Sequence, residues 1–193
     1  AQAFARFLAQ LADLPGAPLL PVIPGFHDTP TRLAHFAEAV RANPCKRLAE
    51  VADDVRWCLD QSELASTLIR ARDSGAIHEI ATHNDTKINN LLMESDGCTA
   101  ACVIDLDLLQ PGFALTDFAD LVRTASCRAA EDADPAIMIP DPELLTALVH
   151  GWLSGRGSAA TAAERSLMPL AGAIITFEQG IRFLTDHLMG DSY

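Results

Sequence analysis

A single short interruption in an otherwise helical chain narrows its fold most. Leu91–Met93 and 101–104 are apolar runs of strand length, and the "ESDGCT" between them carries Asp96-Gly97, a dipeptide that fits a hairpin turn. On either side, apolar residues recur at helical spacing. Phe4, Phe7, Leu8 and Leu11 mark one face of a helix over 1–14, which "LPGAP" ends. Thr29 reads as an N-cap, with Pro30 at the first helical position, where a missing N–H does no harm. Residues 45–72 read as two helices broken near Asp60, with Gly75 as the closing cap. A short extended run at 77–81 precedes the hairpin. Helices are then expected over 115–127, 143–153 and 162–189, the last kinked or restarted at Pro169. The expected fold is mainly α with a small β-hairpin. At 193 residues the chain suits one domain, 1–193, with a real core.

Composition removes several classes of function. A net charge of −12 argues against nucleic acid, because such a surface needs Lys and Arg to replace phosphate counterions. It leaves a phosphate-bearing ligand open, since a divalent cation supplies the missing positive charge. No apolar run reaches the roughly 18–20 residues that span a bilayer, so no membrane is expected. The five cysteines are odd in number and form no CxxC pair, which points to reduced thiols and a cytoplasmic location. The N-terminal pattern lacks a basic segment and a small-residue cleavage site, and the chain lacks an initiating Met. It reads as a processed chain or a piece of one.

Next to the hairpin lies "ATHNDTKINNLLM" (81–93), too polar for a core and too elaborate for a plain surface turn. Asp85 and Asn90 sit on the loop entering the hairpin, and Asp105 leaves its second strand after the apolar "CVI". A hairpin returns its far end close to its start, so these three oxygen-bearing side chains converge. Mg²⁺ takes hard oxygen donors, few of them from protein, with water and substrate phosphates filling the rest. Asn90 and Asp105 suit that task. Asp85 is then free to accept a proton from an attacking hydroxyl.

"HNDTKINN" followed by "CVIDLD" resembles the catalytic and metal-binding loops of the aminoglycoside phosphotransferase and choline kinase superfamily, which shares the protein-kinase fold. Within it, "IPGFHDTP", "THNDTKINNLL", "VIDLDLLQPGFALTDFADLVR" and "FEQGIRFLTDHLMGDSY" are most similar to N-acetylhexosamine 1-kinases and related sugar phosphotransferases. The resemblance implies an ATP- and Mg²⁺-dependent kinase with Asp85 as base and Asn90 and Asp105 on the metal. Asp107 is implied as a further metal or water contact, a solvent-facing strand-end carboxylate being the other reading. His83 would brace the loop, and Lys87 would neutralise transferring phosphate or simply be solvated. Asp117 and Asp120 would cap the helix after Gly112 or tie down the catalytic loop.

The resemblance also implies that this is the helical, C-terminal lobe of a larger kinase. A kinase-like enzyme needs a β-rich N-terminal lobe with a glycine-rich loop and a Lys–Glu pair, and neither G-x-G-x-x-G nor a Walker A sequence occurs here. The chain alone is therefore expected to be inactive, or else to be a non-catalytic kinase-like module. For the acceptor, Arg182 and Tyr193 stand where the sugar-kinase resemblance would aim them at a sugar. An ion pair with Asp186 is the other reading of Arg182. His27 and Asp28 are further substrate candidates, although a helix cap explains them as well. An aminoglycoside or a choline-like amino alcohol is the alternative acceptor. Trp57, Trp152 and Tyr193 are too scattered for the aromatic cage a quaternary ammonium prefers.

Overall fold

The computed structural model describes residues 1–12, 15, 19–129 and 133–191. Eight α-helices surround two small antiparallel strand pairs among these residues. The helices are α1 (Gln2–Leu11), α2 (Thr29–Ala42), α3 (Ala52–Leu59), α4 (Ser62–Ala65), α5 (Thr67–Asp73), α6 (Ala114–Ala125), α7 (Pro142–Arg156) and α8 (Ala162–Met189). The strands are β1 (Ile80–Thr82), β2 (Leu91–Met93), β3 (Ala100–Val103) and β4 (Gln110–Gly112).

The expected hairpin is β2–β3, paired Leu91 to Val103, with an irregularity between Leu92 and Met93. Its loop spans residues 94–99, the expected "ESDGCT". Asp96 Oδ1 accepts the backbone N–H groups of Cys98 and Thr99, each at 2.8 Å, and Gly97 takes the left-handed φ of +67°. A second pair, β1–β4, was not expected. It joins Thr82 to Gln110 and Ile80 to Gly112, and "QPG" carries no strand signal of its own.

Three other expectations change. The segment 45–72 holds three α-helices, because the chain breaks at Ser66 as well as near Asp60. The N-cap of α2 is Asp28, whose carboxylate accepts the N–H of Thr31 at 3.0 Å, while the Thr29 hydroxyl donates to buried Glu178 at 2.7 Å. Helix α8 runs unbroken through Pro169, opened by a capping box of Thr161 and Glu164.

Helix α8 organises the interior. Its first half sends Met168, Ala171, Ile174 and Ile175 into a cluster with Phe4, Leu8, Leu115, Phe118 and Trp152. Its second half sends Phe177, Ile181 and Leu188 into another with Phe36, Val55 and Cys58. Helix α6 packs on the first half, α2 on the second, and α1 crosses α7. Each fully buried Leu, Ile or Phe is worth about 1.5–3 kcal/mol, so these seams hold the helices while leaving the β1–β2 loop on top. No helix among the described residues is long and apolar enough to cross a membrane.

Candidate active site

The loop after β1 is fastened from below by α6. Asp117, fully buried, accepts the backbone N–H of Asn84 on Oδ1 (2.7 Å) and that of His83 on Oδ2 (2.9 Å). Burial pushes its carboxyl up to about 6, against the pull of those two N–H groups. The Thr86 hydroxyl donates to the Asp117 carbonyl. Asn84 takes a left-handed φ of +64°, and its Nδ2 donates to the carbonyls of Thr82 (3.1 Å) and Leu108 (3.0 Å). Gly112 must be glycine for this arrangement. A Cβ there would stand 2.4 Å from Thr82 Oγ1 and 2.8 Å from Asn84 Oδ1.

His83 is buried against the rings of Phe4 and Phe7, which meet it edge-on at 5.5 and 6.0 Å. Its Nδ1 accepts the N–H of Asp85 at 3.2 Å, which assigns the proton to Nε2, the donor to the Ile104 carbonyl at 2.9 Å. The imidazole thus ties the Asp85 backbone to the end of β3. The Asp85 carboxylate reaches the surface, with Asn90 Nδ2 on Oδ2 at 3.1 Å and Lys87 Nζ 3.6 Å from Oδ1.

Asn90 and Asp105 come to the same end of the hairpin. The Ile104 N–H donates to the Asn90 carbonyl at 3.0 Å, and Asp105 follows immediately with a left-handed φ of +65°. Both Asp105 and Asp107 are exposed. The Asn90 amide nitrogen is spent on Asp85, on both its carbonyl and its carboxylate, so only its oxygen remains for a cation. Among the described residues, no three His, Cys, Asp or Glu side chains cluster as a metal site. One amide oxygen and one or two carboxylates are nonetheless the sparse, hard donor set that Mg²⁺ accepts.

Asp85 and Lys87 open onto a cleft of about 910 Å³ between this loop, α2, α6 and α8. Of the other sequence candidates, the structure brings His27, Asp120 and Arg182 to the cleft wall. Arg182 donates to Gln179 Oε1 at 3.1 Å. Asp28 is not on the wall, being used as the α2 cap, and Tyr193 lies outside the described residues. Neither Asp117 nor Asp120 caps α6, whose N-cap is Phe113. Asp117 ties down the loop; Asp120 instead faces the cleft with Oδ1 on Arg123 Nη2 at 2.9 Å. Burial raises the Asp120 carboxyl, the Arg123 guanidinium opposes this, and the Asp85 charge adds to it.

Sequence reasoning missed Glu178, which has no exposed surface and holds the far wall. It accepts from Thr29, pairs with His27 Nδ1 at 2.9 Å, and lies 3.4 Å from Arg32 Nε. One signal was legible: Glu178 falls four residues after Ile174 and three before Ile181, on the apolar stripe of α8. A carboxylate there requires partners.

A family model described as the phosphotransferase enzyme family (APH) matches residues 1–164. The crystal structure of a choline kinase from Cryptosporidium parvum Iowa II is similar over 96% of this chain and 56% of its own, at 16% identity and a TM-score of 0.49.

Proposed function

The chain belongs to the phosphotransferase enzyme family, and on that premise we propose that it carries the chemical site of an ATP- and Mg²⁺-dependent kinase for the anomeric hydroxyl of an N-acetylhexosamine. The mainly helical chain with its small antiparallel pairs is the helical lobe of a protein-kinase-like fold. Because the chain spans 56% of the choline kinase it matches, the activity is proposed for the natural protein containing it.

The observation that carries the reading is the cleft into which Asp85 opens. Asp85 is held by its backbone through His83 and by its side chain through Asn90, so its carboxylate is already aimed when a hydroxyl arrives. It accepts the hydroxyl proton as the oxygen attacks phosphorus. An anomeric hydroxyl is more acidic than an ordinary sugar alcohol, which narrows the gap a carboxylate base must bridge. Lys87 neutralises charge on the group in transfer. Asn90 and Asp105, with Asp107 as a further contact, would hold Mg²⁺, which when bound offsets charge on the nucleotide phosphates.

Charge balance in the cleft supports a neutral sugar. Among its described lining residues, three carboxylates (Asp85, Asp120, Asp186) face four cations (Arg32, Lys87, Arg123, Arg182). An aminoglycoside polycation calls for the opposite excess, whatever the net −12 of the chain. A choline-like cation is also poorly served. Arg32 already lies 5.8 Å over the Phe26 ring, and the only other aromatic ring of the described lining, apart from histidines, is Phe183.

The test is a phosphoryl-transfer assay on the longest natural reading frame containing the chain, with ATP and Mg²⁺. N-acetylglucosamine, N-acetylgalactosamine, kanamycin and choline serve as acceptors. Transfer to a hexosamine, abolished by Asp85→Asn in a folded variant, is the expected result. Transfer only to kanamycin or choline overturns the acceptor, and an active Asp85→Asn overturns the base.

A further inference from the structure

Two polar atoms on the cleft wall are buried without a partner. Asp120 keeps 7% of its side-chain surface exposed, and its Oδ1 is taken by Arg123 while its Oδ2 meets no donor. His27 keeps 9% exposed, and its Nδ1 is taken by Glu178 while its Nε2 meets nothing. Both residues line the cleft that Asp85 opens onto. Buried polar atoms left unpaired are costly and uncommon, and a site for a ligand is one of the few settings that retains them.

Their chemistry specifies what completes them. Burial raises the Asp120 carboxyl and the Arg123 guanidinium on Oδ1 opposes this; in the ionised form Oδ2 only accepts. In the neutral His27 imidazole, with the Nδ1–H donated to the Glu178 carboxylate, Nε2 carries the lone pair and accepts. In these forms both atoms call for hydrogen-bond donors. We propose that Asp120 and His27 form the acceptor-selecting subsite, which takes two O–H or N–H donors from a polyhydroxylated substrate while a third hydroxyl reacts at Asp85. This rests on the phosphotransferase reading and assigns Asp120 to substrate rather than to support of the loop. A trimethylammonium group has no donor to offer, so an amino alcohol such as choline leaves both atoms unpaired and is rejected. Discrimination is strong in this direction, because a site built to hydrogen-bond penalises any ligand that cannot respond.

The experiment compares wild type with Asp120→Asn and His27→Phe in the natural protein, with melting temperature recorded for each. Asn retains an acceptor for Arg123 but replaces the waiting oxygen, in one amide orientation, or the Arg123 contact, in the other; Asp120→Ala removes both. The KM for N-acetylglucosamine is expected to rise roughly ten- to hundredfold in each variant, as for loss of a hydrogen bond to a charged or buried group, while the KM for ATP stays within about twofold. Choline is expected to be a poor substrate for wild type. An unchanged sugar KM, equal rises in both KM values, or wild-type turnover of choline matching the sugar overturns the proposal. If no acceptor is phosphorylated at all, the kinase reading fails and calorimetry with N-acetylglucosamine decides the subsite. Binding by wild type that Asp120→Asn loses supports it; equal binding, or none by wild type, overturns it.

Discussion

Replacing Asp117 by Asn should make this protein less active and its stability less dependent on pH, and the size of the second effect follows from burial. The carboxyl is enclosed completely, and its affinity for a proton is raised from the ordinary 3.8 to about 6. At about 1.4 kcal/mol per factor of ten, that difference is worth about 3 kcal/mol. A raised value means that the folded state binds the proton more tightly than the unfolded one. The stabilisation is thus complete below pH 3.8 and is lost as the pH rises through about 6. Asn has the shape of the neutral acid and cannot ionise. Between pH 4 and pH 7 the variant should gain up to about 3 kcal/mol relative to wild type, against a pH-independent cost of about 1–3 kcal/mol for the backbone N–H that loses its acceptor. Urea unfolding followed by Trp152 fluorescence at both pH values measures this, since Trp152 is buried with its ring 5.5 Å from Phe118, the residue after Asp117. Activity should fall roughly a hundredfold, because the amide nitrogen now faces the N–H of His83 or Asn84 and the loop loses its aim. A stability difference between the two proteins that does not change between pH 4 and 7 would refute the reasoning.

Three further outcomes are expected. Gly112→Ala places a methyl group 2.4 Å from Thr82 Oγ1, so it should cost about 1–3 kcal/mol, and an unchanged melting midpoint would remove the close approach from the account. Asp105→Ala should raise the Mg²⁺ concentration for half-maximal rate by roughly tenfold or more through loss of a charged ligand, and an unaltered Mg²⁺ titration would take Asp105 off the metal. Arg182→Ala should weaken the sugar KM by about 1.5–3 kcal/mol and leave the ATP KM alone, while equal effects on both would make Arg182 a structural residue.

What the sequence disclosed was local. The β2–β3 hairpin, the loop of His83, Asp85 and Asn90, and most helix limits follow from residues within a few positions of one another. What it concealed was set at long range. β4 exists because the Thr82 hydroxyl and the Asn84 amide, 28 and 26 residues upstream, hold the Gln110 carbonyl; Pro111 and Gly112 alone would never suggest a strand. Asp28 and Thr29 are equally good caps by sequence. Glu178, about 150 residues away, decides between them by taking the Thr29 hydroxyl. Asp120 reads as a helix-start acid until Arg123 and the cleft are in place, since on one turn of helix an acid beside an arginine looks like any surface pair.

The crossing of α1 on α7 sets a timetable for synthesis. Gln2 bonds Ser154 across 152 residues, and His27 reaches Glu178 across 151. A ribosome adding about 5–20 residues per second delivers those partners on the order of ten seconds after the first helices emerge. Throughout that interval Phe4 and Leu8 lack Trp152 and the first half of α8, and Phe36 lacks Phe177, Ile181 and Leu188, so these side chains, among the most completely enclosed of the finished molecule, are only partly covered. Apolar surface left partly open for that long favours association before folding is complete, so the yield of folded protein should fall when translation is slowed over residues 40–150.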